Sequence, residues 1–161
     1  METIKVFIEI PEGTSDKYEF DEKSGELKLD FVFKDLVYPY NYGFIPDTLG
    51  EDGDALDAIV LSTKPLERGT AVDATPIGLL EMLDRGEVDN KIITVASFDP
   101  LYEKYKDVGD IPDSIKEEWK NFWQKVARQK QKTIETKEYL AKDSAMQEIK
   151  KSILNKQKTI N

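Results

Sequence analysis

The chain contains no cysteine and no histidine. Without thiols there is neither a disulfide framework nor a thiolate metal site, and a reducing cytoplasm is the expected setting. Without imidazole, His-ligated zinc, a Ser-His-Asp triad and the commonest general base are excluded together. Any chemistry falls to carboxylates, lysines and tyrosines, a set that suits oxygen-ligated cations. Long apolar runs are missing as well. No window approaches the length of a membrane span, and Met1-Glu2-Thr3-Ile4-Lys5-Val6 lacks the basic and then apolar pattern of an export signal. Basic charge is short, with 23 Lys and Arg against 32 Asp and Glu for a net charge of −9. That field opposes nucleic acid as a partner. The positive residues that crowd together, Lys125, Arg128, Lys130 and Lys132, read as the solvated end of a helix.

What the chain does hold is a concentration of aspartate. Asp52-Gly53-Asp54-Ala55-Leu56-Asp57 puts three carboxylates into six residues ahead of an apolar run, Ala58-Ile59-Val60-Leu61. Bare carboxylates so close repel one another, so cations among them would make the cluster more comfortable, with Mg²⁺ the best candidate. An EF-hand is excluded: counting from Asp52, Leu56 falls at the fifth position, Asp57 where glycine is required and Thr63 where the bidentate glutamate belongs. At 161 residues and 39% hydrophobic, the chain can build one sizeable core, so residues 1–161 are expected to form a single domain.

Residues 4–10 alternate as a strand with Ile4, Val6, Ile8 and Ile10 on one face. Strands over 17–20 and 26–33 flank Ser24-Gly25 and predict a hairpin that puts Lys17 and Glu19 on one face. Tyr38-Pro39-Tyr40-Asn41-Tyr42-Gly43-Phe44-Ile45-Pro46, bracketed by prolines, reads as an ordered loop and a short strand. Residues 55–61 read as a buried strand, 71–82 as one or two strands interrupted at Pro76 and Gly78, and 92–96 as another. Between the last two, Asp84 to Lys91 forms a hairpin tip that brings more carboxylates and a lysine to the first aspartates. From Asp113 the period becomes helical through Ile115, Trp119, Phe122, Trp123 and Val126, with Ser114 and Glu117 placed for a capping box. Residues 132–139 suggest an edge strand. Ser144 and Gln147 suggest a second capping box before a helix to about residue 156. The sum is a mainly β protein with two helices packed outside a closed or nearly closed barrel.

Five separated motifs resemble those of the soluble Mg²⁺-dependent inorganic pyrophosphatases, in that family's order and at nearly its spacing. They are Ile8-Glu9-Ile10-Pro11, Lys17-Tyr18-Glu19, Tyr38 to Ile45, Asp52 to Asp57, and Asp84 to Lys91. The resemblance implies an OB-type five-stranded barrel, pyrophosphate as substrate, several Mg²⁺ ions per site and a homo-oligomer, a hexamer in the short prokaryotic members. It implies that Asp52, Asp57 and Asp89 hold a first metal, that Asp57 bridges to a second, and that Asp84 with Asp89 helps to bind a further one. Asp54 would be the general base, Lys17, Tyr42 and Lys91 would hold phosphate, and Glu9, Glu19 and Tyr38 would support the metals and their waters. This fits the chemistry: two cations sharing a water lower its pKa, and an adjacent carboxylate can take the proton.

Three positions depart from that pattern. Phe31 stands where the family has an arginine, in a loop one residue shorter, and Val126 and Ala127 stand where it has a Tyr-Lys pair. Lys34, Lys125 and Arg128 are the candidates to compensate. Two alternatives follow: a divergent relative with weak or lost turnover or another phosphoanhydride substrate, and a cation-binding module without chemistry.

Overall fold

The computed structural model describes residues 3–160. The first strand, β1 (Ile4–Ile10), buries Val6, Ile8 and Ile10. It leads into a separate hairpin of β2 (Asp16–Asp21) and β3 (Glu26–Val32), turning at Ser24-Gly25. There follow β4 (Asn41–Ile45), β5 (Leu56–Leu61), the long β6 (Ala71–Asp84), the two-residue β7 (Glu87–Val88) and β8 (Lys91–Ala96). The expected break at Pro76 and Gly78 is a bulge within one continuous strand, because a proline without an N–H is tolerated where the ladder is already irregular.

The strands close on themselves. β1 pairs with β4 and β6, β4 with β5, β5 in parallel with β8, and β8 with β6. Each of these five therefore has two neighbours, which leaves the ring no free edge and gives the five-stranded OB-type barrel that the resemblance implies. Closure needs β1 and β4 to lie tight together. A Cβ at Gly43 would fall 1.8 Å from the Phe7 carbonyl oxygen, so only glycine fits there.

Both faces of β5 and β8 are covered over most of their length, which is why residues 58–61 and 92–96 read as nearly continuous apolar runs. Leu56, Ala58, Val60 and Ile92 pack with Val6, Ile8 and two later helical residues, Ala145 and Ile149. Ile59, Leu61, Ile93 and Val95 pack toward the aromatic stripe of α1 (Asp113–Lys130). On that stripe Trp119 meets Tyr40, Phe122 meets Tyr38 and Trp123 meets Tyr42, with ring centroids 4.9–5.8 Å apart. The tyrosine segment is thereby locked against the helix.

After α1 come β9 (Ile134–Ala141), which pairs with β6, and α2 (Lys142–Ile160). Neither expected capping box forms. α1 begins behind Pro112, whose ring presets the first turn, and no side chain caps it. α2 already begins at Lys142, whose N–H donates to Asp107 Oδ1 at 3.2 Å. Ser114 and Ser144 both lie inside first turns instead. No helix among the described residues is long and apolar enough to cross a membrane.

Candidate active site

A cleft of about 640 Å³ opens at the barrel end where the β4–β5 loop meets the β6–β8 turn. All eleven residues singled out from the sequence line it: Asp52, Asp54, Asp57, Asp84 and Asp89, Lys17 and Lys91, Tyr38 and Tyr42, Glu9 and Glu19. The β4–β5 loop is shaped by its own polar groups. Thr48 Oγ1 donates to the Ile45 carbonyl and accepts from Leu56 N–H. Asp54 N–H donates to Asp52 Oδ1 at 3.0 Å, and Gly53 turns the chain between them at φ +89°, a conformation suited to glycine. Burial pushes the carboxyl groups of Asp52 and Asp54 above their ordinary range; at Asp54 the charges of Asp52, Glu19 and Asp89 add to the effect.

Lys91 is the centre of the deeper half. It is only 2% exposed, and its Nζ donates to Asp57 Oδ2 at 2.7 Å and to Asp89 Oδ2 at 2.9 Å. The Tyr42 and Trp123 rings lie 5.4 and 5.0 Å from the same nitrogen, within range of a cation–π contribution. Burial alone would favour the neutral amine, but the two carboxylates outweigh it and hold the ammonium form. Tyr42 O–H donates to Asp57 Oδ2 at 2.9 Å. Burial and the Asp57 charge keep that phenol protonated. Glu9 accepts from Phe20 N–H at 2.8 Å, yet burial still pushes its carboxyl up to about 8.

The outer half is a second set of interleaved charges. Lys17 Nζ donates to Glu19 at 3.0 Å and to Asp30 at 2.9 Å. Asp84 accepts from Lys132 at 2.7 Å and from Arg85 at 3.2 Å; these cations hold it below the usual carboxylate range against the effect of its partial burial. Among the described residues, no three carboxylates are gathered closely enough to grip an ion as they stand. Lysines lie among them instead, which is how a charged cluster is balanced when amines are at hand. The donor set nevertheless suits a hard divalent cation, because every anionic donor is oxygen and the carboxyls of Glu9, Asp52, Asp54 and Asp89 are all raised by burial with neighbouring negative charge.

The basic end of α1 is corrected by the structure. Lys125 and Arg128 are exposed and do not line the cleft, nor does Lys34 on the β3–β4 loop, but Lys130 and Lys132 do. Gln131 adopts the left-handed conformation at φ 53° and ends the helix. Lys132 thus leaves the helical path and enters the same cleft as Lys130. Nothing in their spacing announces this, since a continued helix would carry residues two apart to different faces. Val126 is buried in the cleft wall, and Ala127 is buried beside it without lining the cleft.

Residues 6–157 match the family model described as inorganic pyrophosphatase. An inorganic pyrophosphatase of Aeropyrum pernix is 46% identical over 76% of this chain and 72% of its own length. One from Aquifex pyrophilus is 40% identical over 98% and 91%. Among solved structures, the inorganic pyrophosphatase of Thermus thermophilus superposes with a TM-score of 0.91 at 37% identity, covering 97% of this chain and 92% of that one. That of Helicobacter pylori gives 0.93 at 35% identity over 97% and 94%.

Proposed function

The chain belongs to the inorganic pyrophosphatase family, hydrolases of the diphosphate bond, and from that premise we propose how its own residues perform the reaction and which cation they use. Asp52, Asp57, Asp84 and Asp89 would hold Mg²⁺, several ions to a site. Bound Mg²⁺ supplies charge neutralisation and a more acidic water. Asp54 takes a proton from the attacking water as its oxygen bonds to one phosphorus and the bridging P–O bond breaks, giving two phosphates. Lys17, Tyr42 and Lys91 bind the phosphate oxygens, while Glu9, Glu19 and Tyr38 keep the surrounding groups in place.

The observation that carries this reading is the interleaving of ammonium and carboxylate groups in one cleft. When a phosphate-bearing anion arrives, Lys17 and Lys91 can exchange a carboxylate for a phosphate oxygen, and the carboxylates they release would be free to hold cations. Positioned cations are what phosphoryl transfer chiefly requires. No observation favours the divergent alternative. The same reading takes the chain as one domain, since the hairpin and both helices pack around a single barrel, and as a cytoplasmic homo-hexamer. Exposed Val37, Phe98 and Leu101 are apolar surface that such an assembly would cover.

The general-base role is tested by Asp54→Asn, which preserves shape and removes the base. Turnover should fall roughly 10²–10⁴-fold, and the deficit should shrink as pH rises and hydroxide becomes available unaided. Wild-type turnover in this variant would remove Asp54 from the role.

A further inference from the structure

We propose that Lys130 is a substrate-binding residue that grips the same phosphate as Lys17, an assignment that rests on the reading of the cleft given above. The geometry is unusual for a surface ion pair. Lys17 Nζ and Lys130 Nζ both bond to one oxygen, Asp30 Oδ2, at 2.9 and 3.2 Å. Two like charges are thus brought together across a single carboxylate at the edge of the cleft. The other partner of Lys17, Glu19, has a side chain 63% exposed, so its hold on the ammonium is open to water. With Glu19 and Asp30 the four charges cancel as they stand, and an arriving phosphate oxygen can take the place of Asp30 between the two ammonium groups in a cleft otherwise dominated by acid.

Lys130 is also aimed. Gln129 clamps the Lys34 backbone from both sides, accepting from its N–H at 2.9 Å and donating to its carbonyl at 2.8 Å. This fixes the end of α1 against the β3–β4 loop. The Phe31 ring lies 5.5 Å below Lys130 Nζ and rests on Phe33 at 4.7 Å. The ring and Asp30 together hold the ammonium inward, leaving only 21% of the side chain exposed. A strap of this kind between partly exposed groups adds little to stability, whereas two fixed ammonium groups a carboxylate apart form a receptor for a polyanionic oxygen cluster. Lys34, Lys125 and Arg128 are exposed outside the cleft and cannot share the task.

The test compares wild type, Lys130→Gln, Lys130→Arg and Lys34→Gln in Mg²⁺. Pyrophosphate kinetics are measured together with calorimetric binding of methylenediphosphonate, which cannot be hydrolysed. Losing one charge-assisted contact should raise KM, and the Kd for methylenediphosphonate, by about tenfold or more in Lys130→Gln. Lys130→Arg should recover most of the affinity, Lys34→Gln should match wild type, and Tm should barely move in any of the three variants. Unchanged KM and Kd in Lys130→Gln would overturn the proposal, as would a lowered Tm with Kd unchanged. Absence of hydrolysis by the wild type would count against the enzymatic reading instead, and the calorimetric comparison would still decide the role of Lys130.

Discussion

Replacing Lys91 by methionine keeps most of the side-chain volume and removes the ammonium from between Asp57 and Asp89, which lie 2.7 and 2.9 Å from it. Leaving buried carboxylates without their counter-charge costs about 3–5 kcal/mol. The side chains of Asp57 and Asp89 retain 27% and 16% exposure, so water recovers part of the loss and the lower end, about 3 kcal/mol, is expected. For a chain of 161 residues that is a fall in Tm of roughly 6–12 °C. The fall should be full in EDTA and smaller in millimolar Mg²⁺, because a cation held by the same carboxylates takes over the charge that Lys91 supplied. Thermal melts followed by circular dichroism, wild type against Lys91→Met in both buffers, read this directly. A variant as stable as wild type in EDTA would refute the burial argument. An equal deficit in both buffers would refute the idea that metal and lysine share these carboxylates.

Glu9 predicts a pH dependence. Its carboxyl is pushed up to about 8 in the folded protein by burial, against about 4.3 in an unfolded chain. Between those values the folded state holds a proton that the unfolded state has lost, so stability is intact at the acid end and declines toward pH 8. The slope is at most about 1.4 kcal/mol per pH unit. In EDTA, Glu9→Gln should therefore lose less stability than wild type between about pH 5 and 8, and parallel denaturation curves would count against it. Gly43→Ala should unfold the barrel seam, since its Cβ would overlap the Phe7 carbonyl. A loss of more than about 3 kcal/mol is expected, and a variant melting with the wild type would show that β1 and β4 can separate.

The strands, the helix stripe and the aspartate cluster were legible because each is local: alternation, a period near 3.6 and close spacing of one residue type. A closed or nearly closed barrel was expected from the run of short strands, but the pairing that closes it was not legible. Closure depends on β6 pairing with β1 at Ala71–Ala74 and with β8 from Ala74 onward, bending at the Pro76–Gly78 bulge, and no window of sequence contains both partners. The helix starts were misread because Ser114 and Ser144 fit a pattern that Pro112 and the Asp107 contact pre-empt. On the site, the aspartates and Lys17 and Lys91 stand in motifs and could be named. Lys130 and Lys132 could not, since what turns them inward is the left-handed residue at Gln131 and the distant carboxylates Asp30 and Asp84. Nothing local distinguishes Lys34, near Phe31, or Lys125 and Arg128, beside Val126 and Ala127, from a cation that reaches the cleft.

The central claim is that cations held by the aspartates of this cleft drive hydrolysis of the diphosphate bond. Phosphate release from pyrophosphate, measured in millimolar Mg²⁺ and again in EDTA for wild type and Asp57→Asn, tests it most directly. Steady release by wild type in Mg²⁺, none above background in EDTA and a severe loss in Asp57→Asn is the predicted result. Release that persists in EDTA, or an Asp57→Asn protein that keeps the wild-type rate, would contradict it.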